Sequence, residues 1–142
     1  MTDLAKQQKL RILKFESKTC AACISMNKKG VLATLQQEYP GIDLITLVIA
    51  NEHGESPPGS TFEEAYELSD VVNVTQLPTY IIQDAEGFEF GRIEGTETLT
   101  TFRKTIEQVI KRIEEVEAEE TASLHAYERV EAFRMRLANK PA

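Results

Sequence analysis

Two short segments, 9–16 and 43–49, decide most of what this chain can fold into. In Lys9-Leu-Arg-Ile-Leu-Lys-Phe-Glu16, Leu10, Ile12 and Lys14 share one face of an extended chain, and Leu13 and Phe15 share the other. Asp43-Leu-Ile-Thr-Leu-Val-Ile49 is almost continuously apolar. A strand that is apolar on both faces needs cover on both, as in a parallel sheet flanked by helices. Between the two segments, a helix is expected from about Ala21 to Tyr39. Ile24, Val31, Leu32, Leu35 and Tyr39 fall within roughly a 100° arc, the width of a core-facing stripe. Lys28 projects into that arc with its stem lying along apolar surface. Gly30 weakens the helix by about 1 kcal/mol relative to Ala and predicts a bend. Pro40-Gly41 ends it. The result is a parallel βαβ unit.

The rest of the chain extends that unit. Residues 50–60, with Gly54, Pro57, Pro58 and Gly59, read as a loop. Thr61, supported by Glu64, predicts an N-cap for a helix to about Leu68. Tyr80-Ile81-Ile82 reads as a third strand, Asp84-Ala-Glu-Gly87 as a hairpin turn, and Phe88 to Ile93 as the return strand. Gly95 breaks that strand, and Thr98 predicts an N-cap for a helix carrying Phe102, Ile106, Val109, Ile110 and Ile113. The order β-α-β-α-β-β-α defines an α/β fold with a four-stranded mixed sheet and helices on both faces. We divide the chain into a domain over 1–117 and a helical extension over 118–142.

A length of 142 residues suits one domain with an appendage. The net charge of −7 argues against nucleic-acid binding, which needs clustered Lys and Arg. No apolar run reaches the roughly 20 residues of a membrane span. Met1-Thr-Asp-Leu-Ala-Lys-Gln-Gln lacks an apolar signal core, so a cytoplasmic location is expected.

Cys20-Ala-Ala-Cys23 holds both cysteines of the chain, at the start of the first predicted helix. Two thiols on one helical turn can close a disulfide with little backbone change, and the unpaired N–H groups of a helix N-terminus favour a thiolate. In a cytosolic chain such a pair points to reversible thiol chemistry or metal binding rather than to a structural bridge. Zinc normally takes four Cys or His ligands, and His53 and His125 are far from the pair in sequence. No metal or other cofactor is therefore expected beyond a redox-active disulfide, although a site shared between two chains stays open.

The landmarks in this order resemble the thioredoxin-like fold family over about Lys9–Ile113. They are the strand Ile12-Leu-Lys-Phe15, the CxxC that opens a helix, Val74-Thr-Gln-Leu77-Pro78-Thr79, and the glycines Gly87 and Gly95 of the final hairpin. The resemblance implies thiol–disulfide exchange by Cys20 and Cys23 with protein disulfide substrates, recharged by a separate reductant. It implies that Pro78 is cis and that Thr19, Leu77, Pro78 and Gly95 border a peptide groove. This chain has Thr19 where the family usually has Trp, Ala21-Ala22 in place of Gly-Pro, and Lys14 at the position of a buried Asp. With about eight residues before the first strand, it also resembles a form shortened at the start. Lys18 and Lys14 are candidate electrostatic modulators of Cys20. The loop 50–60 is expected to leave the sheet edge that carries Cys20, which makes His53 a candidate proton carrier. The rival class is a binding module that uses the same groove without turnover.

Beyond Ile113 the pattern stays helical to about Leu137, either as one long helix or with a break near Glu119–Ala122 and Thr121 as a new cap. Tyr127, Val130, Phe133 and Leu137 form an apolar stripe, with Ala126 inside it and Leu124 at its edge, while Arg129, Arg134, Arg136 and Lys140 make the last turns basic. The stripe predicts packing on the sheet domain, self-association, or docking to a partner.

Overall fold

The computed structural model describes residues 1–139. Its sheet is built around β1 (Leu10–Glu16). Strand β2 (Ile42–Val48) runs parallel to β1, with Leu10 opposite Ile42 and Glu16 opposite Val48. On the other side β3 (Thr79–Asp84) runs antiparallel, with Leu10 opposite Asp84 and Phe15 opposite Thr79. β4 (Glu89–Glu94) pairs antiparallel with β3 and completes the order β2-β1-β3-β4. Gly87, at φ 93°, makes the β3–β4 turn.

Helix α1 (Asp3–Lys6) is a single turn that the sequence pattern did not suggest. The expected helix over 21–39 is instead two, α2 (Ala21–Lys29) and α3 (Val31–Glu38), separated by Gly30 at φ 66°. A left-handed residue resets the helical phase, so a stripe drawn across it does not stay in register. Cys23 and Met26 are the buried residues of α2, Ile24 is 45% exposed, and Lys28 is on the surface. Val31, Leu35 and Tyr39 are buried as expected. β2 lies at the sheet edge, and only Ile42 in it is buried, because an apolar run alone does not distinguish an edge strand from a central one. Helix α4 (Thr61–Val71) is capped by Ser60, one residue before the expected Thr61, and the Ser60 hydroxyl accepts from the Glu63 N–H at 3.2 Å.

The core lies on both sides of β1 and β3. Cross-strand partners point to the same face, so Ile12, Lys14, Tyr80 and Ile82 share one side, and Leu13, Phe15, Thr79 and Ile81 share the other. On the first side, Tyr80 meets Phe102 edge-on, at 4.9 Å between centroids and 82° between planes. Such a pair is worth about 0.5–1.5 kcal/mol beyond its buried area. Phe102, Ile106, Val109 and Ile110 are all buried, and Gly91 lets β4 approach Val109 closely. On the second side Phe15 and Ile81 are buried, and α4 packs along β2.

The last helix, α5 (Leu99–Ala138), runs unbroken for 40 residues with Thr98 capping the Thr101 N–H. It passes through Glu119–Ala122 without the break that Thr121 allowed. Residues Met1–Ile110 form one compact unit, and the chain from Lys111 onward forms a second. Among the described residues, no helix is long and apolar enough to cross a membrane. Lys140 lies outside the described residues.

A Cβ added to Gly41 would overlap the Gln8 carbonyl oxygen, while the Gly41 carbonyl accepts from Leu10 N–H at 3.1 Å. Gly41→Ala should therefore cost about 1–3 kcal/mol by pushing the first β1–β2 rung apart. The expected readout is a lower urea midpoint at unchanged slope; an unchanged midpoint would contradict this packing.

Candidate active site

The end of β1 leads through a tight turn into α2, and the cysteines sit on that junction. Ser17 is buried, and its carbonyl accepts from Cys20 N–H at 3.2 Å. Its hydroxyl bonds Thr19 Oγ1 at 3.0 Å and accepts from the Thr19 N–H at 3.2 Å. Thr19 is left exposed beside Cys20. Cys20 is the N-cap of α2, with φ −82° and ψ 108°, and its Sγ accepts from the Cys23 N–H at 3.2 Å. A sulfur placed here takes one of the orphan donors of the helix start, a bond that strengthens when the sulfur is anionic. Both cysteines are free thiols. They differ in access: Cys20 is partly exposed, and Cys23 is 1% exposed.

Burial is the main cause that pushes the Cys23 thiol up from 9.0 to about 12. The hydrogen bond with Cys20 and the charges of Cys20 and Glu16 add to the rise, and the backbone bond at Ser17 opposes it. The neighbouring Tyr80 phenol is also raised, first by burial and then by Cys23, Glu16 and Cys20. Glu16 is thus a charged side chain that bears on Cys23.

Lys14 is engaged in holding that carboxylate. Its ammonium donates to Asn27 Oδ1 at 2.6 Å and lies 3.6 Å from Glu16 Oε1, with both charged side chains largely buried. Asn27 Nδ2 in turn donates to Glu16 Oε2 at 2.8 Å. Asn27 is one helical turn beyond Cys23, so this bond draws the carboxylate to the cysteine side of α2. A cavity of about 270 Å³ lined by Lys14, Met26, Asn27, Val31, Leu44 and Tyr80 adjoins the network. Glu16 and Asn27 were missed in the sequence. The available signal was the two-residue spacing of Lys14 and Glu16, which puts them on one strand face.

The loop after β2 reaches the same turn. Lys18 N–H donates to the Ala50 carbonyl at 3.2 Å, the Lys18 ammonium lies 3.9 Å from Glu52, and it sits 5.7 Å from the Phe62 ring centroid. Asn51 Oδ1 accepts from the His53 and Glu55 N–H groups, which folds the loop tip and leaves the His53 side chain exposed.

The segment before β3 lies at the edge where β1 ends, because Phe15 faces Thr79. The Leu77–Pro78 bond is cis. Pro78 is buried and its carbonyl accepts from Gly95 N–H at 2.7 Å, with Gly95 at φ 79°. Leu77 is partly exposed and lines a cavity of about 280 Å³ with Ile49, Tyr66, Ser69, Asp70 and Val74. Among the described residues, no three His, Cys, Asp or Glu side chains are grouped to hold a metal.

A partly exposed N-cap cysteine, a buried partner one turn on and a Leu–cis-Pro segment thus lie at the same end of the sheet. The family model for the thioredoxin-like domain matches residues 1–110, so the chain belongs to that family. Among solved structures it is similar to oxidized mitochondrial thioredoxin 3 of Saccharomyces cerevisiae. That match has 23% identity, covers 74% of this chain and 83% of that one, and has a TM-score of 0.52. The thioredoxin of Fasciola hepatica gives 20% identity, 72% and 83% coverage, and a TM-score of 0.51. A DsbH oxidoreductase gives 18% identity, 77% and 78% coverage, and 0.55. These identities establish the shared fold. A search of curated proteins gives no match.

In Cys20→Ser protein, which loses the Cys20 contributions but keeps the burial that is the largest cause, alkylation of Cys23 followed by mass should stay slow at neutral pH and rise only above pH 9. Glu16→Gln should shift that profile to lower pH by removing a like charge. The linkage has a fixed sign: the folded state holds the proton more tightly, so this thiol makes folding less favourable as pH rises from 9 toward about 12. Alkylation of Cys23 at neutral pH as fast as Cys20 in the native chain would contradict the assignment.

Proposed function

We propose that this protein is a thiol–disulfide oxidoreductase that reduces disulfides in protein substrates. The observation that carries the reading is the asymmetric pair: Cys20 Sγ partly exposed on the N-cap and Cys23 buried one turn further on. The Cys20 thiolate attacks one sulfur of the substrate disulfide and expels the other as a thiolate, forming a mixed disulfide. Cys23 then gives up its proton and attacks Cys20 Sγ. The Cys20–Cys23 bond forms, the bond to substrate breaks, and the second substrate sulfur leaves as a thiolate. Two electrons pass to the substrate, and an external dithiol reductant returns the protein to its reduced form.

The surroundings suit these steps. Glu16, held by Asn27 and Lys14, is a largely buried carboxylate whose charge bears on Cys23 and is the proposed acceptor of its proton. Leu77, partly exposed beside cis-Pro78, is the proposed edge for an extended peptide, with Thr19 and Gly95 at its borders. The 50–60 loop, tied to the cysteine turn through Ala50 and Glu52, is placed to select among substrates, and His53 at its tip is the exposed proton carrier of this reading. A cytoplasmic setting would keep the reductant at hand.

With dithiothreitol as reductant, the chain should accelerate insulin reduction. Cys20→Ser should abolish the acceleration, and Cys23→Ser should accumulate the mixed disulfide on Cys20. Equal rates for Cys20→Ser and the native chain would instead favour a binding module. Deleting Glu52–Pro58 should change the ratio of rates on two different disulfide substrates; an unchanged ratio would remove the loop from substrate choice.

A further inference from the structure

The Asn27 amide stands between two charged groups that do not hydrogen-bond to each other. Its Oδ1 accepts from the Lys14 ammonium at 2.6 Å, and its Nδ2 donates to Glu16 Oε2 at 2.8 Å. The direct approach of Lys14 to Glu16 is longer, 3.6 Å, and goes to the other oxygen, Oε1. Only one orientation of the amide serves both neighbours. Turned over, it would set its N–H donors against an ammonium and its carbonyl oxygen against a carboxylate. Both hydrogen bonds are charge-assisted and polarised in the same sense. A cation on the carbonyl oxygen makes the amide N–H a stronger donor, so each bond strengthens the other.

This chain of bonds lies beside the dithiol. Asn27 is one turn beyond Cys23 on α2, and Lys14 and Glu16 share a face of β1. The Asn27 bond occupies Oε2, whereas Oε1 has no hydrogen bond among the described residues and is the oxygen open to a proton. Besides Lys14, the titratable groups around Glu16 are Cys23 with Cys20 on α2 and the Tyr80 phenol on β3. β2 sets the uncharged Val48 opposite Glu16, and Lys18 of the following turn is drawn to Glu52.

We propose that Asn27 is a positioning residue for the resolving step: it relays the charge of Lys14 to Glu16 and holds the carboxylate ionised, with Oε1 free to take the Cys23 proton. This rests on the reading of Glu16 as the acceptor of that proton. The proton passes from Cys23 Sγ to Glu16 Oε1 while the Asn27 bond to Oε2 stays in place. Lys14 acts through the amide rather than across the 3.6 Å separation, so losing either side chain breaks the same path. Asn27 is exposed on α2, so replacing it leaves the core intact.

Stopped-flow mixing of excess reduced full chain with dithiobis(nitrobenzoate) separates the two steps. Attack by Cys20 releases one thionitrobenzoate in a concentration-dependent phase. Resolution by Cys23 releases the second in a concentration-independent phase, whose rate should rise with pH as Glu16 ionises. Hydrogen bonds to the charged form lower a carboxyl pKa, so losing the relay moves that rise to higher pH. Asn27→Leu is expected to shift its midpoint up by at least about half a pH unit. Asn27→Asp keeps the Lys14 bond but sets a second carboxylate beside Glu16, and should shift it further. Lys14→Met should act in the same direction, and Lys14→Met/Asn27→Leu should go no further than the larger single shift, as one shared path requires. If Lys14→Met does not fold by circular dichroism, the order of the native, Leu and Asp chains at position 27 decides. Additive shifts would put Lys14 on Glu16 directly, and an unmoved midpoint in both Asn27 variants would remove Asn27 from the step; either overturns the proposal. A native chain with no second phase would contradict the dithiol reading itself, and the proposal with it.

Discussion

The antiparallel register of β1 on β3 is the constraint on which the rest of the structure depends. Phe15 opposite Thr79 brings the chain leaving β1 and the chain entering β3 to the same end of the sheet, which is how a cysteine turn and a Leu–cis-Pro segment far apart in sequence come close together. A slip of one residue would turn every side chain to the opposite face. Lys14 and Tyr80 would leave the side that holds Met26 and Phe102, and Glu16 would lose Asn27. Fold and site therefore stand on one set of backbone hydrogen bonds, reinforced by Ile12, Phe15, Ile81 and Ile82, all nearly inaccessible to water.

Around that end, charge is arranged unevenly. Burial and the Glu16 carboxylate both disfavour a negative charge on Cys23. Lys14 is bound to Asn27 and Glu16 and keeps a carboxylate in a place where an unpaired one would be costly. Glu16 lies two residues along the same face from Lys14, which is why the proposed mechanism gives it the acidic role.

Much of this was legible in the sequence, for identifiable reasons. The strands β1, β3 and β4, the parallel β1–β2 pair and the cysteines at a helix start follow from local periodicity and turn chemistry. What failed was extrapolation across a break or into three dimensions. The stripe through Ile24 assumed one helical phase across Gly30, and the left-handed glycine ended it. β2 reads as a buried strand because apolar content does not tell which strand forms an edge. The Glu16–Asn27 contact joins a strand to a helix eleven residues later and leaves no periodic trace. The tail pattern allowed a break at Thr121, but with no Gly or Pro between Leu99 and Ala138 nothing in the backbone requires one, and α5 continues through it.

The central claim is that Cys20 and Cys23 form a pair that opens and closes reversibly. Equilibrating the full chain in glutathione buffers of graded potential, then trapping free thiols with a maleimide and weighing the product, tests it directly. The account predicts one two-electron transition in which both cysteines lose reactivity together, within a single chain and without bound glutathione at the oxidised end. Two thiols that stay reactive at every potential, or that oxidise only by bridging chains, would contradict it.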